Sequence, residues 1–117
     1  MCGRRVNVFL YLNPDWDPSW GGDLELWDRS MTKCAARVPA GGNRLAIFST
    51  TDFSYHGHAD PLACPAHRSR RSIAMYYYTR SRPLSEIVTD NEGNIVKHST
   101  LYQTRKCESC MASHCRA

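Results

Sequence analysis

An all-β fold, an antiparallel sandwich or jelly roll, is what this chain predicts, and three observations predict it. Apolar residues recur with a period of two, the extended runs are short, and Gly, Pro and Asn separate them. A period of two sends alternate side chains to opposite faces of a sheet, and short strands at this spacing suit two packed antiparallel sheets.

Val6, Val8, Leu10 and Leu12 alternate with Asn7, Phe9 and Tyr11 in a first strand, which Asn13-Pro14-Asp15 and Pro18 end. Gly21-Gly22 opens a second, with Leu24 and Leu26 facing opposite to Glu25 and Trp27, and Asp28-Arg29-Ser30 closes it. Residues 33–38 are a weaker third, stopped by Pro39. Gly41-Gly42-Asn43 reads as a tight turn, because glycine and asparagine accept positive φ. Residues 44–49 form the fourth strand, and an irregular stretch rich in His and Pro runs to Ser69. Residues 72–79 carry Ile73, Met75 and Tyr77 on one face and Ala74, Tyr76 and Tyr78 on the other, so this strand is expected at the centre of a sheet. Beyond Pro83 the composition turns polar, with a loop at 90–94 between extended pieces at 86–89 and 95–99.

A chain of 117 residues supports one domain and is too short for two. The expected division is a β domain over 4–80, an extension over 81–105 and a Cys-rich, poorly ordered tail over 106–117. Fifteen Lys and Arg against 11 Asp and Glu leave a mild positive charge, clustered at Arg4-Arg5 and at Arg68-Ser69-Arg70-Arg71. That suits a small anion better than a nucleic acid, which takes a wide basic stripe. No segment approaches the roughly 20 apolar residues of a membrane span, and no apolar signal core opens the chain, so neither nucleic acid nor membrane is an expected partner. A cytoplasmic location is the default expectation, with the six cysteines as free thiols.

Two residues carry the candidate chemistry. His56 ends an extended run, and a neutral imidazole held at a strand end suits a first-row metal. The plain alternative is a surface loop histidine. Arg70, fourteen residues later, shares parity with Ser72, Ala74 and Tyr76. If that side is interior, the guanidinium needs an anion, and its fork of donors matches a carboxylate. Ser72 can add a hydroxyl and Tyr11 a phenol. The alternative for Arg70 is a solvated charge beside Arg68 and Arg71, and spacing does not choose among the three.

The run Tyr11-Leu12-Asn13-Pro14-Asp15-Trp16-Asp17, the turn Gly21-Gly22-Asp23-Leu24, the strand leading to His56, and Arg70-Arg71-Ser72 resemble, in order, the C-terminal part of an Fe(II)- and 2-oxoglutarate-dependent dioxygenase of the prolyl 4-hydroxylase type. The resemblance covers residues 4–79 and implies a double-stranded β-helix, or jelly roll. It implies that His56 matches the distal histidine of a His-x-Asp…His iron triad. Arg70 matches the residue that binds the C5 carboxylate of 2-oxoglutarate, Tyr11 matches a tyrosine that supports it in some members, and Ala74 and Tyr76 are expected to line the pocket, with Ser72 kept as a cosubstrate-binding candidate on its hydroxyl. Fe(II) and the cosubstrate 2-oxoglutarate, with ascorbate as a further candidate, are the implied cofactors. A proline-containing protein or peptide is the implied substrate.

The family's His-x-Asp lies on the strand before this first one, upstream of Arg4, whereas this sequence starts Met1-Cys2-Gly3. The expectation is therefore a fragment with about six of the eight jelly-roll strands, inactive alone and able to self-associate through open edges. His58-Ala59-Asp60 with His67 satisfies a His-x-Asp…His pattern literally, but places all its ligands in one irregular loop. Cys107, Cys110, His114 and Cys115 offer zinc-ligand spacings within nine residues. Two other readings follow: a non-catalytic jelly-roll binding module, and a small zinc-binding module at the tail.

Overall fold

The computed structural model describes residues 3–96. Six strands, β1 (Gly3–Tyr11), β2 (Leu24–Trp27), β3 (Cys34–Val38), β4 (Arg44–Ser49), β5 (His56–Gly57) and β6 (Ser72–Thr79), form two antiparallel three-stranded sheets. The orders are β4-β1-β6 and β3-β2-β5. Beyond β6 a 3-10 turn forms at Leu84–Glu86. The Cys-rich tail lies outside the described residues, as does the end of the expected 95–99 piece. Cys34 and Cys64 are free thiols. No helix of the described residues is long and apolar enough to cross a membrane.

β1 is the central strand, and its period of two decides what lies between the sheets. Tyr11, Leu24 and Ala46 form the buried core, with Phe9, Leu26, Val38 and Phe48 packed against it. The row Asn7, Phe9, Tyr11 therefore points inward. In register with it stand Phe48, Ala46 and Arg44 on β4, and Tyr76, Ala74 and Ser72 on β6. Directly paired residues of an antiparallel ladder share a face, so Ala74, Tyr76 and Ser72 join that inner row. The opposite face carries Leu45, Ile47, Ile73, Met75 and Tyr77, all exposed.

One expectation is corrected. β6 pairs with β1 alone among the described residues, so it is an edge strand and not a central one. All eight of its residues are exposed, and on the inner row Tyr76, 43% exposed, meets Phe9 edge-on. β5, two residues long, carries no readable periodicity and escaped the strand reading.

Turn chemistry fixes the connections. Between β2 and β3 the Asp28 carboxylate accepts the backbone N–H of Thr32 and Lys33 and the hydroxyls of Ser30 and Thr32. Those donors favour the ionised form and hold its pKa down to about 2. Between β3 and β4, Asn43 adopts φ 58°, and the N–H groups of Gly42 and Asn43 donate to the carbonyls of Asn13 and Tyr11 at 2.7 and 3.0 Å. A Cβ on Gly42 would stand 2.9 Å from the Asn13 carbonyl, so only glycine permits this approach. Buried Asn13 ties three segments together. Its Nδ2 donates to the Ala40 carbonyl at 2.7 Å and its Oδ1 accepts from the Arg71 N–H at 2.6 Å.

The described residues beyond β6 fold back on the sheets. Arg82 pairs with Asp52 at 2.8 Å, Val88 N–H donates to the other Asp52 oxygen at 2.8 Å, and Glu86 pairs with Arg5. The 90–94 loop closes a hairpin through the Thr89–Ile95 bridge.

Truncating Asn13 to Ala removes both side-chain bonds and strands the Ala40 carbonyl and Arg71 N–H. A loss of about 2–4 kcal/mol is expected, at about 1–2 kcal/mol for each buried group. Urea denaturation measures it, with a loss below about 0.5 kcal/mol contradicting the clasp.

Candidate functional site

Tyr11, at the inner end of β1, is fully buried. Burial, which penalises the phenolate, pushes its phenol above the ordinary value of 10.0, while the charge and hydrogen bond of Arg70 pull part of the way back. Arg70 reaches it from the residues leading into β6. One guanidinium nitrogen donates to the Tyr11 hydroxyl at 3.3 Å, and the carbon of the group sits 5.0 Å from the ring centre. Nε donates to the Gly22 carbonyl at 2.6 Å. These contacts anchor Nε, while the terminal N–H groups not engaged by Tyr11 remain able to grip a carboxylate. The phenol accepts from Arg70 and keeps its own proton to donate. Ser72, in register with Tyr11, adds a hydroxyl on the same face.

The structure distinguishes the three arginines that spacing left equivalent. Arg71 donates through Nε to Ser69 Oγ at 3.1 Å and is exposed, while Arg68 bonds to the Pro14 carbonyl and stands 5.3 Å from the centre of the Trp20 ring. Arg70 alone of the three touches Tyr11. Gly22 makes this possible: its φ is +82°, and a Cβ there would lie 2.7 Å from Leu62 Cδ2 and 2.9 Å from Arg70 Cδ.

His56 enters from the other sheet. Its register partner on β2 is Leu26, which packs into the core, so the imidazole faces the interior although the residue is solvent-accessible. The ring meets Phe48 edge-on with centres 4.8 Å apart. Nδ1 lies 2.8 Å from the Ser54 carbonyl and Nε2 lies 3.3 Å from Asn7 Nδ2. A carbonyl can only accept and an amide NH2 can only donate. The neutral ring that satisfies both carries its proton on Nδ1 and leaves a lone pair on Nε2. That is the tautomer a metal ligand needs.

His56 and Arg70 thus attach to one surface. Asn7 and Tyr11 share the inner row of β1 four residues apart, a spacing of about 13 Å at roughly 3.3 Å per residue. Between them lies an apolar floor in which Phe9 packs on Phe48 and Tyr76 at ring distances of 5.6 and 6.4 Å.

The His58, Asp60 and His67 grouping does not form a metal site. Among the described residues no cluster of three or more His, Cys, Asp or Glu is placed to hold an ion. His58 and Asp60 instead border a cleft with Glu25 and Arg37, side chains that alternate away from the inward-facing Leu24 and Leu26. There Glu25 pairs with Arg37 at 2.7 Å and accepts from Trp27 Nε1 at 3.0 Å. The sequence reading overlooked Asn7 and the Gly22 carbonyl. Parity with Tyr11 was a usable signal for Asn7, whereas a backbone acceptor leaves none.

The model of the 2OG-Fe(II) oxygenase superfamily matches residues 2–78. The chain is similar to the mouse protein named Prolyl 3-hydroxylase OGFOD1, with 32% identity over 83 residues, 65% of this chain. It spans 14% of the length of that relative. No solved structure matches the chain significantly.

Two outcomes test the clamp. Because the folded phenol has a raised pKa, its contribution to stability is complete below the ordinary value of 10.0 and is lost as pH rises through the folded value. Tyr11→Phe should flatten that alkaline loss in denaturation midpoints measured against pH. Gly22→Ala should displace Arg70 and raise the Tyr11 pKa further, seen as a later phenolate transition in the ultraviolet difference spectrum against Tyr11→Phe. An unmoved transition would show that Arg70 does not depend on Gly22.

Proposed function

The chain belongs to the 2OG-Fe(II) oxygenase superfamily, and from that premise we propose that it forms the cosubstrate-binding part of an Fe(II)- and 2-oxoglutarate-dependent dioxygenase. The two three-stranded sheets are then six strands of an incomplete jelly roll, an architecture with which their antiparallel orders are compatible. The single observation that carries this reading is the shared inner face of β1, with His56 at Asn7 and Arg70 at Tyr11.

The donor set fits its two groups unequally. Arg70, Tyr11 and Ser72 present the cationic fork, phenol and hydroxyl that one carboxylate of 2-oxoglutarate requires. His56 presents one imidazole lone pair, which fits one position on Fe(II). The remaining protein ligands are not among the described residues, so His56 holds the ion only in company with donors from elsewhere.

When bound, iron and 2-oxoglutarate supply O2-dependent hydroxylation of an unactivated C–H bond, with the cosubstrate leaving as succinate and CO2. The chain's own residues have narrower tasks. Arg70 and Tyr11 bind and orient the distal carboxylate, Ser54 fixes the imidazole proton on Nδ1, and the Phe9 and Phe48 rings form the apolar floor between them. Peptidyl proline is the proposed substrate, supported by the prolyl hydroxylase name of the mouse relative.

Arg70→Ala should weaken 2-oxoglutarate binding about 10- to 100-fold by removing a charge-assisted pair, with Arg70→Lys falling between. In a polypeptide that also carries a His-x-Asp segment, His56→Ala should abolish Mn(II)-induced broadening at the inner face while leaving the carboxylate grip largely intact. Titrations followed by NMR read both, and unchanged 2-oxoglutarate affinity in Arg70→Ala would sink the assignment. In a polypeptide that also carries a His-x-Asp segment, succinate formation should appear and depend on His56. For the chain alone, sedimentation should show concentration-dependent self-association through the open β6 edge, reduced by Tyr77→Lys.

A further inference from the structure

The outer face of the β4-β1-β6 sheet is apolar, and nothing among the described residues covers it. β1 lends it Val8, which is 7% exposed between its ladder partners Ile47 and Met75. The open area therefore belongs to the flanking strands, where Leu45, Ile47, Ile73, Met75 and Tyr77 are 43–64% exposed. An apolar sheet face is stable beneath a further layer, and a patch of this kind on a surface marks an interaction site. At about 100 Å² apiece, half the area of a large side chain, the five present on the order of 500 Å². Two such faces together bury about 1,000 Å², the least that a specific interface takes. The occupant must itself be flat, apolar and uncharged. The described residues contain no α-helix to lay across the strands. Residues 97–117 bring Leu101, Tyr102 and Met111 as their only large apolar side chains, with four Lys or Arg among them. A second copy of the sheet meets the requirement.

We propose that this face is the interface of a homodimer, with the two sheets stacked about a two-fold axis that runs along β1. Aligned sheets pack about 10 Å apart. Under this axis β6 of each copy lies over β4 of the other, and the ladder register decides which side chains meet. Val8 stands between Ile47 and Met75, so Met75 lies over the partner's Ile47. Val6 stands between Ser49 and Tyr77, so the largest side chain of the face lies over the smallest. Leu10 stands between Leu45 and Ile73, which meet in the same way. Each contact occurs twice, and none of these three rungs carries a charge that would repel its own copy. A two-fold axis across the strands would instead set Tyr77 over the partner's Ile73 and leave a gap above Ser49, against the dense packing that apolar interfaces require. The inner row points the other way, so pairing leaves the Arg70 and Tyr11 contact open. An interface at this lower bound of size gives a reversible dimer.

Sedimentation equilibrium of the full chain, with its thiols kept reduced, should show a reversible monomer–dimer equilibrium. Ile47→Lys should weaken it about 100-fold or more by burying two unpaired charges. Its NMR spectrum should stay as dispersed as the parent's, because Ile47 is 64% exposed in the single chain. Met75→Glu should dissociate the dimer in the same way. An equimolar mixture of the two variants should associate again, since one side then joins the new ammonium to the new carboxylate and the other keeps its Ile47 and Met75 contact. Where Ile47→Lys does not fold, Ile47→Thr reads the same change in the same direction. Ile47 lies on β4, two strands away from the open β6 edge, so association through that edge survives these substitutions. A folded Ile47 variant that sediments like the parent therefore overturns the proposal. So does a parent that is monomeric up to millimolar concentration, whether residues 97–117 then show NMR contacts to Ile73 and Met75 or the face stays open to a hydrophobic dye. A mixture that remains monomeric overturns the axis along β1, and with it the proposed interface.

Discussion

The placement of chemistry in this protein depends on which face of one strand turns inward. β1 is the only strand of its sheet with neighbours on both sides among the described residues, so its inner row is held from left and right by β4 and β6. That row reads Asn7, Phe9, Tyr11: a polar residue at each end and an aromatic floor between. A slip of one residue would exchange it for Val6, Val8 and Leu10 and remove both polar ends from the interior. The Asn13 clasp and the Gly42 approach at the end of β1 act against such a slip, since both fix its register to the β3–β4 turn.

At the Tyr11 end, electrostatics and packing are coupled. A fully buried phenol and a half-buried guanidinium each lose hydration, and their contact recovers part of the loss. The recovery is incomplete because a neutral phenol cannot balance a cation. Asp23 lies near enough to raise the Tyr11 pKa slightly, yet its Oδ1 accepts from the Ala40 N–H and it forms no ion pair with Arg70. The guanidinium thus retains a positive charge in a sheltered position, with a fork of donors whose geometry matches a carboxylate.

Most of the strands were legible in the sequence because each has alternation and a breaker: β1 before Asn13-Pro14, β2 between Gly21-Gly22 and Asp28, and β4 after Gly41-Gly42-Asn43. β5 was not, since two residues cannot show a period. The position of β6 was misread for a physical reason. Apolar residues on both faces mark burial only when both faces are covered, and here Tyr76 on the inner row is 43% exposed, as is Met75 on the outer. For the candidate site, the sequence offers His56, Arg70, Tyr11 and Ser72 as residue types at a spacing. It does not offer the choice of Arg70 over Arg68 and Arg71, because that is made by the Gly22 carbonyl and by the room that glycine leaves.

The short β5 has a mechanical consequence for His56. A ligand on a long, doubly paired strand takes its direction from the ladder, but β5 pairs with β2 over two residues only. Backbone register places His56 on the inner face and does little to fix the rotation of its ring. That rotation is set by three side contacts: the Ser54 carbonyl at 2.8 Å, the Phe48 edge and the Asn7 amide at 3.3 Å. Two of the three originate on β4 and β1, in the opposite sheet. The ring direction is therefore a property of how the two sheets pack, and loosening their interface would blur the histidine before it unpaired either sheet. The Arg70 grip shares this dependence, since Gly22 precedes β2 while Tyr11 ends β1. Both ends of the site span the same interface, so sheet packing and site geometry form one cooperative unit.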